Sequence, residues 1–278
     1  MRPLLARDCR ERCDEWRLIH RPARRRGGLS AHIVLPRRHL SGSSPIVAVH
    51  GFARNAREQA TLLAPAAAAA GRMVIAPHFH KAGWKRYQQL VVKGRADLAL
   101  LALLGELRAE FSMPAGKFVL SGFSGGAQFA HRFAMLYPGL VRRLIVTAAG
   151  WYTFPDEAPY PYGCGKGSGP HGGWGPQLAA NLDRFLRLPM DVCVGAFDDG
   201  PDATLRGGPE LDRTQGVGRL TRARRWVDAV RRAARARHIE PQVALSILDE
   251  CAHDFAICAR IARLDRRIVG PENGGWDQ

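Results

Sequence analysis

The stretch Lys117-Phe118-Val119-Leu120-Ser121-Gly122-Phe123-Ser124-Gly125-Gly126-Ala127-Gln128-Phe129 decides the fold. An apolar run of strand character ends at Ser121, and helical spacing begins at Gly126. Between them lies the pattern Gly-x-Ser-x-Gly, Gly122 to Gly126. A chain that passes from strand to helix so abruptly must bend sharply, and glycines on both sides of the serine leave room for the crossing. The bend strains the backbone at Ser124 and presents its Oγ at the top of a sheet, beside helix-N-terminal amides that favour negative charge. Five residues alone also fit a glycine-rich turn with a capping serine. The strand before and the helix after favour a nucleophile elbow.

Working outward, short β-branched runs alternate with helical patterns, as in an α/β protein with a mostly parallel central sheet flanked by helices. The pattern predicts strands over 30–35, 46–50, 73–77, 118–121, 144–148, 192–196 and 243–248. It predicts helices over 57–70, 87–110, 126–137, 176–186, 217–237 and 255–268, with Pro65 kinking or shortening the first. Leu98, Leu101 and Leu104, with Leu100 and Leu103, lay the second helix against the sheet. Residues 1–29 read as a basic N-terminal segment packed on or extending the sheet, ahead of one domain over 30–278. Two loops break the rhythm. Residues 151–176 hold seven Gly, five Pro and six aromatics, which precludes a regular element, and 198–216 is rich in Asp, Gly and Pro. Both follow strands, so both belong over the carboxyl ends of the sheet, where such folds bind ligands. The first insert is too short for a large cap domain.

A serine is inert without a base and an acid that orients the base. In this architecture they follow in the order Ser, Asp, His at later strand ends. Strand 192–196 runs through Phe197 into Asp198, and past strand 243–248 His253 lies on a loop before the last helix. Asp199 and Asp202 share the first loop and Asp249 ends the neighbouring strand, so they remain alternatives for the acid. His50 and His131 compete with His253 as base, from a strand end and from inside the elbow helix. For the oxyanion, the amide after the nucleophile belongs to Gly125; the loop after strand 46–50 offers Phe52, with Ala53 second. Trp84, Tyr87, Trp151 and Tyr152 are the substrate-binding candidates, and Phe154, Tyr160 and Trp174 lie nearby. His78 and His80 share one side of an extended chain, but with no evident third ligand they read as pocket rim rather than metal site.

With these residues assembled, the chain resembles an α/β-hydrolase from about residue 30 to 270. The resemblance is carried by His50-Gly51-Phe52, Gly122-Phe123-Ser124-Gly125-Gly126, Gly195-Ala196-Phe197-Asp198 and Ala252-His253. Residues 121–138 are similar to serine esterases of the polyhydroxyalkanoate-depolymerase-like and feruloyl-esterase-like group. The resemblance implies Ser124, Asp198 and His253 as triad and Phe52 and Gly125 as oxyanion donors. It implies cleavage of a small or oligomeric carboxylic ester through an acyl-enzyme, with no cofactor and no metal. The long stretch from Asp198 to His253 departs from the pattern and keeps Asp199 and Asp202 open. Amidase, peptidase or acyltransferase chemistry would use the same triad. A non-catalytic basic binding protein on this scaffold is the reading from another class.

The composition agrees with a globular domain. Of 278 residues, 46% are apolar and 24% charged, and no run of eighteen apolar residues exists to span a bilayer. The charged N-terminus lacks a secretory apolar core, so the expected compartment is the cytoplasm. Six cysteines, at 9, 13, 164, 193, 251 and 258, match no disulfide or zinc spacing and read as free thiols. The net charge of +16 raises a polyanion partner. Yet 36 of the 41 cations are Arg, as GC-rich codon usage produces without selection for a ligand. Residues 1–40 hold eleven Arg against four acids, and 217–240 hold eight against two. In the second region Leu220, Ala223, Trp226, Val227, Val230 and Ala234 form one helical stripe, which leaves Arg222, Arg224, Arg225, Arg231, Arg232 and Arg235 mostly on a solvated face. No nucleic-acid-binding motif accompanies them, so no dedicated nucleic-acid partner is expected.

Overall fold

Runs of β-branched and aliphatic residues, each four to seven long, make the sheet of the computed structural model. It describes residues 15–38, 42–91, 94–113, 115–168, 172–200, 202 and 205–270; Cys9 and Cys13 lie outside these. The strands are β1 (Trp16–Arg21), β2 (Ser30–Pro36), β3 (Ile46–Val49), β4 (Val74–His78), β5 (Phe118–Phe123), β6 (Val141–Thr147), β7 (Met190–Gly195) and β8 (Val243–Leu248). They form one sheet in the order β1-β2-β4-β3-β5-β6-β7-β8. From β4 to β8 every pairing is parallel; β2 runs antiparallel to β4, and β1 antiparallel to β2. β1 reads WRLIHR, with Arg17, His20 and Arg21 among its six residues, so its strand character is hidden by charge.

Helices cover both faces, and the two-residue period of the strands sorts side chains between them. Val47, Val49, Leu120 and Val146 join Phe129, Phe133 and Trp226 on one side. Ile46, Ala48, Val119 and Ile145 meet Leu63, Phe255 and Ile268 on the other. Each fully buried large side chain contributes about 1.5–3 kcal/mol through removal from water.

Several expected helices differ in form. The helix expected over 87–110 is a short 3-10 turn at Tyr87–Gln89 followed by a helix over Ala96–Glu110. Left-handed backbone at Leu90, Gly94 and Arg95 breaks the run, because helical hydrogen bonding cannot continue through positive φ. Leu100, Leu103, Leu104 and Leu107 are its buried face, whereas Leu98 is exposed. Pro65 lies within an unbroken helix, Ala56–Ala69, so it neither ends nor shortens it. The expected 176–186 helix is two, Trp174–Ala180 and Leu182–Leu186, and the last is divided into Phe255–Arg260 and Leu264–Val269 by left-handed Arg263. In the helix Arg219–Arg235, Arg222 is wholly buried rather than solvated, while Arg224, Arg225, Arg232 and Arg235 are exposed. Among the described residues no helix is long and apolar enough to cross a membrane. Cys164, Cys193, Cys251 and Cys258 are buried free thiols.

Candidate active site

The turn between β5 and the helix Gly125–Leu136 holds Ser124 at φ 54° and ψ −114°, a strained conformation for a residue with a Cβ. The glycines around it are there for space. A Cβ on Gly126 would overlap the Val49 carbonyl, and one on Gly122 would overlap the Gly126 carbonyl. The Ser124 amide donates to the Thr147 carbonyl at 2.9 Å, which ties the bend to β6.

The ends of β7 and β8 bring two more side chains to the serine. The Phe197 amide donates to the Cys251 carbonyl at 2.9 Å, extending the β7–β8 register past both strands, and Gly195 admits that carbonyl where a Cβ would collide. Asp198 and His253 therefore emerge side by side. His253 Nδ1 lies 2.7 Å from Asp198 Oδ2, and His253 Nε2 lies 3.0 Å from Ser124 Oγ. A carboxylate only accepts, so Nδ1 carries the proton and donates to it, which leaves Nε2 to accept from the serine hydroxyl. The imidazole stacks on Phe123 with centroids 5.0 Å apart. Asp254 caps the next helix, its Oδ1 accepting from the Ile257 amide at 2.9 Å.

The other carboxylates point elsewhere. Asp199 Oδ1 accepts from the Thr221 amide at the start of the helix Arg219–Arg235, and Asp202 Oδ2 accepts from Arg219. Asp249 is exposed at the end of β8. Of the competing histidines, His50 Nδ1 donates to the Gly51 carbonyl at 2.8 Å and its Nε2 accepts from the Phe79 amide at 3.0 Å. Burial pulls its pKa down to about 3, so it is a neutral strut. His131 is built alike, between the Ala127 carbonyl and the Thr153 amide, and burial holds its pKa well below the ordinary value.

Beside the serine is a cleft of roughly 230 Å³ lined by Phe52, Asn55, Glu58, Phe123 and Phe255, among others. Phe52 and Gly125 adjoin: a Cβ on Gly125 would come within 3.2 Å of the Phe52 ring. Phe52 lies in the turn after β3, and Gly125 is the first residue of the helix after the serine.

The four expected substrate-binding aromatics are not among the residues lining this cleft. Tyr87 is buried, and its hydroxyl donates to the His50 carbonyl at 2.6 Å. Trp84 packs edge-on against Phe79, with ring centroids 5.8 Å apart. Trp151 lies under the Arg132 guanidinium, 4.0 Å from its centroid. Tyr152 stacks on Trp226 and exchanges backbone hydrogen bonds with the Gln215 side chain. Large aromatics in a glycine-rich loop found more area to bury beneath it than at its rim. Phe154 and Tyr160, with Tyr162, line a separate hollow of roughly 390 Å³. The cleft residues missed from sequence, Phe123 and Phe255, are sequence neighbours of Ser124 and His253, and that adjacency was the available signal. His80 accepts from the Gly83 amide, and burial lowers the pKa of His78. Among the described residues no group of three or more His, Cys, Asp or Glu is arranged to hold a metal ion.

No family model and no curated protein matches the sequence. Solved structures do match in shape. Poly(aspartic acid) hydrolase-1 from Sphingomonas sp. KT-1 superposes with a TM-score of 0.76 at 23% identity, covering 91% of this chain and 98% of that one. LpqC, a poly(3-hydroxybutyrate) depolymerase from Bordetella parapertussis, gives 0.69 at 24% identity over 86% of this chain and 88% of that one. An S-formylglutathione hydrolase from Agrobacterium tumefaciens gives 0.57 at 14% identity over 91% and 95%. Parallel strands in that order, a strained serine between β5 and its helix, and these superpositions agree: the chain has the α/β-hydrolase fold.

Proposed function

We propose that this protein is a serine hydrolase that cleaves carboxylic esters through an acyl-enzyme. The observation that carries the reading is the continuous contact from Ser124 Oγ to His253 Nε2 at 3.0 Å and from His253 Nδ1 to Asp198 at 2.7 Å. In this reading Ser124 attacks the ester carbonyl while His253 takes its proton. Asp198 holds the imidazole tautomer and stabilises its charged form. The amides of Phe52 and Gly125 receive the developing oxyanion. His253 then protonates the departing alcohol, and a water activated by the same imidazole releases the acid. A cleft of roughly 230 Å³ suits one short acyl or alcohol group. The neighbours in shape are described as hydrolases, among them a polyester depolymerase and an S-formylglutathione hydrolase, which supports hydrolysis as the class.

Purified protein should take a fluorophosphonate label and hydrolyse p-nitrophenyl acetate. Ser124→Ala should abolish the label and lower kcat by about a million-fold with the fold intact. Undiminished turnover in that variant rejects the assignment. Amide cleavage by the same residues is a second reading, favoured by the likeness to a hydrolase of poly(aspartic acid), whose backbone bonds are amides. Turnover of matched ester and amide substrates decides between them.

A further inference from the structure

We propose that Arg219 is a positioning residue for Asp198, holding its carboxylate turned toward His253; this rests on the triad reading above. Arg219 opens the helix Arg219–Arg235 and is 2% exposed. Its Nη1 donates to Asp198 Oδ1 at 2.8 Å and its Nη2 donates to Asp202 Oδ2 at 2.5 Å. The other oxygen of Asp198 faces His253 at 2.7 Å. One carboxylate is thus divided between a guanidinium and an imidazole, and it cannot rotate without losing one of them. The planar fork of arginine suits this, since it meets two acceptors from one rigid group.

The location of this cation needs a reason. A positive charge at a helix N-terminus opposes the macrodipole, and a guanidinium taken out of water is costly unless paired. Two carboxylates from one short loop overcome both penalties. In return Arg219 supplies what a neutral imidazole cannot, a permanent opposite charge beside a buried carboxylate. It also clamps the loop that carries Asp198 at a second point, Asp202. Asp199, between them, is engaged with the Thr221 amide.

The bridge also tempers the base. The groups facing the Asp198–His253 pair are Arg219, Asp202 and Asp199, with Asp254 and Cys258 from the last helices, Tyr152 from the loop after β6 and Glu58 across the cleft. Arg219 sets a positive charge on the side of Asp198 away from His253, and Asp202 partly neutralises that charge. Removing either shifts the base in opposite directions.

The test is the pH dependence of ester turnover in Arg219→Met, Arg219→Lys and Asp202→Asn. Arg219→Met should lower kcat/KM about ten- to a hundredfold, as loss of an outer partner of a site residue commonly does. Its acid limb should move up by about half a pH unit or more. Asp202→Asn should move the limb down with a smaller loss of rate. Arg219→Lys keeps the charge but not the fork, so its limb should stay near that of the parent while kcat falls. Limbs that stay fixed in Arg219→Met and Asp202→Asn, or move the same way, overturn the proposal, as does unchanged kcat/KM in Arg219→Met. Should Arg219→Met fail to fold, the downward limb of Asp202→Asn and the lowered kcat of Arg219→Lys decide alone. Ser124→Ala separates the two readings. Activity retained there removes the triad itself; activity lost there, with limbs fixed in the other variants, removes only the role of Arg219.

Discussion

The two halves of the cleft are held by different forces. On the serine side, backbone lies against backbone: Gly122 and Gly126 pack where any Cβ would meet a carbonyl, and His50 braces the turn as a neutral strut. On the acid side, charges do the holding. Arg219 bridges Asp198 and Asp202, and one turn later Arg222 donates to the Gly150, Gly216 and Arg206 carbonyls and to Asp212. The first half should resist any added atom. The second should accept changes of shape but not loss of a donor.

The largest expected effect is on the serine side. Gly126→Ala drives a methyl into the Val49 and His50 carbonyls and should cost more than about 3 kcal/mol in chemical denaturation, with fluorophosphonate labelling lost. Gly139, with nothing near its missing Cβ, should tolerate alanine within about 0.5 kcal/mol. Equal stabilities for the two variants would break the contrast at its firmest point. On the acid side, Arg222→Met leaves buried carbonyls without their donor and should cost about 2–3 kcal/mol. Exposed Arg224→Met on the same helix should change the urea midpoint little. If both substitutions cost the same, charge is not what holds this half.

The smallest effect separates the halves by acid. The folded pKa of His50, about 3, lies below the ordinary histidine value, so its stabilisation is complete above about pH 6.5. It is lost progressively as pH falls toward about 3. Between pH 7 and about pH 5 the loss is about 2 kcal/mol, and His131 adds in the same direction. Denaturation midpoints at those two pH values check this, and His50→Gln should flatten the difference. A pH-independent midpoint in the parent protein removes the neutral-strut account.

The legible parts of this chain were those whose cause is local. A strand, a glycine-flanked serine and a helix follow one another within thirteen residues, so the elbow can be read from 117–129 without knowing anything distant. Strand period and β-branched runs likewise announce seven of the sheet's strands, while Arg17, His20 and Arg21 in β1 conceal the eighth. Ser124, Asp198 and His253 were named from strand ends, and they lie within hydrogen-bond reach of one another. Helix breaks at Leu90, Gly94, Arg95 and Arg263 left weaker marks, because an apolar pattern can run on through a left-handed residue that only the fold demands.

Periodicity and turn chemistry, being properties of neighbouring residues, were enough to specify the layers, the sharp bend and the strand ends from which Ser124, Asp198 and His253 emerge. Three carboxylates within five residues of one loop look alike in sequence. They are told apart by what lies across from each: an imidazole and a guanidinium for Asp198, a helix amide for Asp199 and the same guanidinium for Asp202. The burial of Arg219 and Arg222, and the sinking of Tyr152 and Trp151 beneath the loop that was to display them, belong to the same class. Each depends on partners far along the chain, and the energy of burying a charge or a ring is set by what surrounds it, which no local pattern contains.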